Sequence, residues 1–134
     1  MGYTHYFETV ETIDKNTWKQ ITDGFGKILT TTNVRICGSD GHTDTPIKIN
    51  ENLISFNGFS SDSHETMVLQ REKSDWNFCK TAMKPYDEVV VALLSLVMTL
   101  TDNVKVSSDG EIEDWKEGKD LLYKSIPELI ESDE

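Results

Sequence analysis

Lys80-Thr81-Ala82-Met83-Lys84-Pro85 stands just before the longest apolar run of the chain, residues 89–100, which only Ser95 and Thr99 interrupt. Two lysines and a hydroxyl ahead of a helix are groups suited to phosphate, because a first helical turn leaves N–H donors free and its dipole favours negative charge. Ser107-Ser108-Asp109-Gly110 forms a second polar turn, also ahead of a helical stretch. Against this, Asp87 and Glu88 would repel an anion at the first turn, and no Gly-x-x-x-x-Gly-Lys loop occurs. The bland alternative is that Thr81 and Ser108 cap helices while the lysines are solvated. Tyr3, His5 and Tyr6 bring a second chemistry, rings that stack on a nucleobase or else simply pack.

Other chemistries find less support. His5, His42, His64, Cys37 and Cys79 contain no pair at zinc-site spacing, and Asp40-Gly41-His42-Thr43-Asp44 reads equally as a polar surface loop. No metal or cofactor is therefore expected. Cys79 lies near Lys80 and Lys84, which could lower a thiol pKa, yet its place after Phe78 suits an ordinary buried cysteine. No Gly-x-Ser-x-Gly motif is present.

The whole chain bounds these options. Its 134 residues, 37% hydrophobic and 28% charged, fit one soluble globular domain, expected over residues 1–125 with an acidic tail at 126–134. Net charge is −11, and ten acidic against three basic residues fall from Asp109 to the end. Such a balance opposes binding a nucleic-acid duplex through its phosphates. No run reaches the length of a membrane span, and the start has neither the basic nor the apolar part of an export signal. Two cysteines without such a signal read as reduced thiols in a cytoplasm.

The elements that must position these groups follow from periodicity. Alternation predicts a strand over residues 2–11, with aromatic groups on both faces. Asp14 caps a helix carrying Trp18, Ile21, Phe25, Ile28 and Leu29, in which Gly24 and Gly26 mark close packing against a sheet. Short strands are expected at 34–37, 47–49, 53–56 and 66–70, with Asn57-Gly58 as a turn, and 76–80 as a strand or an extended lead into the main helix. Pro85 fits the first turn of that helix. A strand at 104–106 and a helix from about 112 to 124 complete the chain. The class is α+β: a mostly antiparallel sheet of about five to six strands, with two to three helices on one face.

Three motifs together carry a resemblance that spans most of the chain. They are Met1-Gly2-Tyr3-Thr4-His5-Tyr6, then Phe78-Cys79-Lys80-Thr81-Ala82 with Lys84-Pro85-Tyr86-Asp87, then Val106-Ser107-Ser108-Asp109-Gly110 with Trp115. The sequence resembles a family of small phage and bacterial proteins that open Met-Gly-Tyr-Thr-His-Tyr, usually followed by Trp. Phe7 stands where that Trp is usual, and Met83 where a basic residue is more typical. The resemblance implies a phage or bacterial host setting and no particular activity.

The expected function is non-enzymatic binding of a small anionic, nucleotide-derived ligand; in a phage setting, this is a sponge for a host immune signalling nucleotide. Lys80, Thr81 and Lys84 are the expected phosphate contacts, and Tyr3, His5 and Tyr6 those to base or sugar. Asp87, Ser107, Ser108 and Asp109 complete the set, and a homodimer could complete the site. The alternatives are an acidic protein that inhibits a host protein, and a small enzyme using Cys79 or His5. All of this requires the two polar turns and His5 to converge.

Overall fold

The computed structural model describes residues 3–39 and 46–129. In chain order these form β1 (Thr4–Thr9), α1 (Lys15–Thr31), β2 (Ile36–Cys37), β3 (Lys48–Ile49), β4 (Leu53–Gly58), β5 (Met67–Gln70), β6 (Asn77–Lys80), α2 (Asp87–Leu100), β7 (Val104–Ser108) and α3 (Lys116–Ser125). The class is α+β, with seven strands in two antiparallel sheets rather than one sheet of five or six. One sheet has the order β6-β1-β7; in the other, β4 pairs with β2, β3 and β5.

Local chemistry explains the helices. Asp14 accepts bonds from the Thr17 N–H (3.1 Å) and the Thr17 hydroxyl (2.7 Å), which closes the open start of α1. The buried stripe of α1 is Trp18, Ile21, Phe25 and Ile28, at helical spacing. Residues 89–97 of α2 are buried on every side, as an all-round apolar helix requires. This helix lies between α1, α3 and β7 and is the centre of the core. Among the described residues, no helix is long and apolar enough to cross a membrane.

Several local expectations are corrected. Asn57 and Gly58 belong to β4 and pair with Cys37 and Ile36. The Asn57 Oδ1 accepts from the Gly58 N–H (2.7 Å) and the His64 N–H (3.1 Å), so its side chain fastens the following loop from within the strand. Gly24 admits helix α2 rather than a sheet: a Cβ there would lie 2.8 Å from Leu96 Cδ2, whereas Gly26 faces open space. Pro85 sits in the turn before α2, not in its first turn. The last helix opens with a tighter turn at Glu113–Trp115. Ile126 is buried and Leu129 packs against the core, so the packed body continues past residue 125. The Asp40–Asp44 loop with His42, and residues 130–134 of the acidic tail, lie outside the described residues.

Candidate functional site

Strand β1 is the centre of its sheet, and its register sorts the candidate residues. His5 stands opposite Cys79 on one side and Ser108 on the other; Tyr6 stands opposite Phe78 and Ser107. Directly paired residues share a face, and successive residues alternate between faces. His5, Cys79 and Ser108 therefore point inward toward α2, while Tyr6, Phe78 and Ser107 point outward. The expected site is two sites.

The inward set converges on His5, which is fully buried. Its Nε2 lies 2.6 Å from Asp87 Oδ1, and its Nδ1 lies 2.8 Å from Ser108 Oγ. Ser108 Oγ also accepts from the Gly110 N–H (2.9 Å) and the Trp115 Nε1–H (3.2 Å). A hydroxyl has two lone pairs and one hydrogen, so the Ser108 hydrogen is directed at His5 Nδ1. This arrangement places the ring proton on Nε2, which donates to Asp87 Oδ1. The Thr81 hydroxyl gives Asp87 Oδ1 its second bond at 2.6 Å. Tyr3 and Trp115 flank the imidazole edge-to-face, with centroids at 5.2 and 5.5 Å. Burial, with Asp87 nearby, pushes the Tyr3 phenol up to about 12.

The backbone of both polar turns is consumed internally. The Thr81 and Ala82 N–H groups donate to the Tyr3 carbonyl, Lys84 to the Thr81 carbonyl, and Asp87 to the Lys84 carbonyl. Met83 N–H reaches the Thr81 hydroxyl at 3.3 Å. Ala82 and Met83 hold positive φ values of 52° and 58°, which the turn needs in order to bring these donors inward. In the second turn, the Asp109 N–H donates to the Thr4 carbonyl and the Glu111 N–H to Asp114. Asp109 Oδ2 in turn accepts the Thr4 N–H at 3.1 Å. None of these donors is left for a phosphate.

Lys84 is separated from Lys80. It lines a cleft of about 370 Å³ shared with Asp87, Glu88, Glu113, Asp114 and Glu117, surroundings that oppose an anion. There, burial and the neighbouring Glu117 raise the Glu88 pKa. Cys79 is fully buried, with its thiol pushed up to about 12 by burial, and its Sγ is 3.9 Å from the Tyr86 hydroxyl. Such a thiol does not supply a nucleophile at neutral pH. Among the described residues, no group of three His, Cys, Asp or Glu is arranged to hold a metal.

The outward set occupies the open face of the β6-β1-β7 sheet. Tyr6 is 38% exposed, Phe78 opposite it 55%, and Trp76, two residues before Phe78, 54%. Lys80, Ser107 and Lys105 are exposed on the same strands. Phe78, Trp76 and Lys105 were absent from the sequence-derived set. The 76-78-80 alternation was visible in the sequence, but its alignment with Tyr6 depends on register. In comparisons with known proteins, no family model, curated protein or solved structure matched the chain.

Proposed function

We propose that this chain is a binding protein for a small nucleotide-derived ligand, seated on the open sheet face rather than at the threshold of α2. The observation that carries this reading is the exposed cross-strand pair of Tyr6 and Phe78, with exposed Trp76 just ahead of β6 and Lys80 at the end of that strand. Exposed rings on a sheet stack on bases at about 1–3 kcal/mol per base, and lysines at the margin meet phosphate. Ser107, opposite Tyr6, offers a hydroxyl to a sugar or phosphate oxygen. Glu8 stands opposite Lys105, and Glu65 accepts the Lys80 backbone N–H, so the face carries little net positive charge. That balance favours a ligand with one or two phosphates over a polynucleotide.

His5, Asp87, Thr81 and Ser108 serve this reading as the rigid support beneath the platform. Neither enzyme alternative gains support from its named residue, since His5 and Cys79 are both sealed from solvent. In the phage or bacterial setting that the three-motif resemblance implies, such binding would take the form of sequestering a host signalling nucleotide.

The test is calorimetry with adenosine monophosphate, ADP-ribose and cyclic dinucleotides, on the parent chain and on Tyr6→Ala and Phe78→Ala. Both side chains are exposed, so the fold should survive. Loss of one stacking contact weakens affinity by about 5- to 150-fold. No heat from any ligand at concentrations where micromolar binding registers, or binding indifferent to both substitutions, refutes the proposal. Intact ligand recovered after denaturation separates sequestration from turnover.

A further inference from the structure

A separate cleft of about 410 Å³ opens between α1 and the hairpin joining β3 to β4. Lys15, Lys19 and Arg71 line it, with Glu51 as its one carboxylate. In a chain of net charge −11, this gathering of cations needs a reason. Lys19 is paired to Asp23 at 3.1 Å. Among the described residues, Lys15 and Arg71 have no ion-pair partner.

Arg71 is held ready. Its Nε donates to the Glu51 carbonyl (3.0 Å) and its Nη1 to the Ile13 carbonyl (2.8 Å). A guanidinium carries five N–H donors in a rigid fork, so two of them fix the group and the rest are free to bind. The adjoining wall is apolar: Trp18 lies beneath, its Nε1 bonded to the Asn50 carbonyl at 2.8 Å, and Ile49 is 38% exposed at the rim.

We infer that this cleft is a second anion site, distinct from the sheet platform, and that it takes a phosphomonoester with a small planar or apolar body. Two unpaired cations match the dianion, the pre-set Arg71 fork matches phosphate geometry, and the Ile49–Trp18 side receives the organic group. The volume suits a ligand of that size. The site stands on different residues from Tyr6, Phe78 and Lys80, so the two readings fail independently.

Titration of the full chain with phenyl phosphate, followed by ¹H–¹⁵N NMR, tests the inference. The Arg71 Nε–H and Trp18 Nε1–H resonances should shift saturably with a Kd near or below about 1 mM. Inorganic phosphate should bind the same residues several-fold more weakly, and phenol should leave them unmoved. Lys15→Gln, at an exposed position, should weaken phenyl phosphate by about two- to fivefold, the range of a single exposed ion pair. Arg71→Gln should abolish binding; because Arg71 also ties down two carbonyls, the Lys15 variant stands in if that chain does not fold. Tyr6→Ala should change nothing. Absence of saturable shifts, shifts confined to other residues, an unaltered Lys15→Gln titration, or equal affinity for inorganic phosphate each overturns the inference as stated.

Discussion

Asp87 gives the sharpest test of the buried network. Its Oδ1 receives two hydrogens, from His5 Nε2 and from Thr81 Oγ1, both at 2.6 Å, and both donor residues are fully buried. Asp87→Ala removes the acceptor and leaves two buried donors without their partner. Each stranded group costs about 1–3 kcal/mol, giving about 2–6 kcal/mol in all, a large share of the 5–15 kcal/mol of a typical domain. Asp87→Asn keeps an acceptor oxygen in place and loses only the charge assistance, about 1 kcal/mol per bond and so about 2 kcal/mol. Its new amide hydrogens can be turned toward the cleft that Asp87 lines. Urea denaturation of the three proteins, followed by far-UV circular dichroism, gives the ordering. Equal losses for Asn and Ala would refute the claim that two donors converge on one oxygen. A loss below about 1 kcal/mol for Ala would show that the network does not hold β1 to α2 at all. Long-range ¹⁵N NMR of the imidazole checks the tautomer independently, with the proton expected on Nε2.

Three further predictions concern packing and titration. Gly118→Ala should destabilise by about 1–3 kcal/mol or more, because the added Cβ would lie 2.4 Å from Val91 Cγ1 and 3.0 Å from the Glu88 carbonyl; the same urea assay reads it. Iodoacetamide at pH 8 should leave Cys79 unmodified in the folded chain and alkylate it in denaturant, as intact mass and peptide mapping would show. Stability should also fall in alkali. Tyr3, Cys79 and Tyr86 all have pKa values raised by burial, so their contribution is whole below their unfolded values of about 9–10. That of Tyr3 and Cys79 is lost as pH climbs toward about 12, and that of Tyr86 at higher pH still. A melting temperature that holds constant from pH 8 to 11 would contradict this, and Cys79→Ala should make the decline shallower.

The helices were readable because their signals are local. Asp14 and the Trp18–Ile28 stripe state where α1 begins and which face it buries, and the apolar run states that α2 is central. The site was less legible, for two reasons. Period-two alternation already forbids His5 and Tyr6, or Ser107 and Ser108, from sharing a sheet face, so that part is present in the sequence. Which residues of β6 and β7 join each face depends on register between segments far apart in the chain, and no local pattern encodes it. Asn57-Gly58 misled for another reason: its side-chain bonds reach across to His64, and these outweigh a dipeptide preference for turns. Lys80 belongs to β6, and Ser107 and Ser108 to β7, rather than to turns, and the donors of the turns that follow close upon the protein's own oxygens, which composition does not reveal.

The central place of β1 has a consequence for how the chain is made. His5 meets Ser108 across a separation of 103 residues, and β6 on its other side is also distant in sequence. During synthesis β1 emerges before both its neighbours: β6 arrives only after α1 and the whole second sheet, and β7 only after α2 as well. Until then Phe7, whose native place is in the core, has no partner strand, and closing so long a loop is slow compared with forming α1 or the β4–β5 pair. Strand β1 is thus made before its partners and fixed only after them, and a chain stopped short of β7 holds a central strand with one edge open.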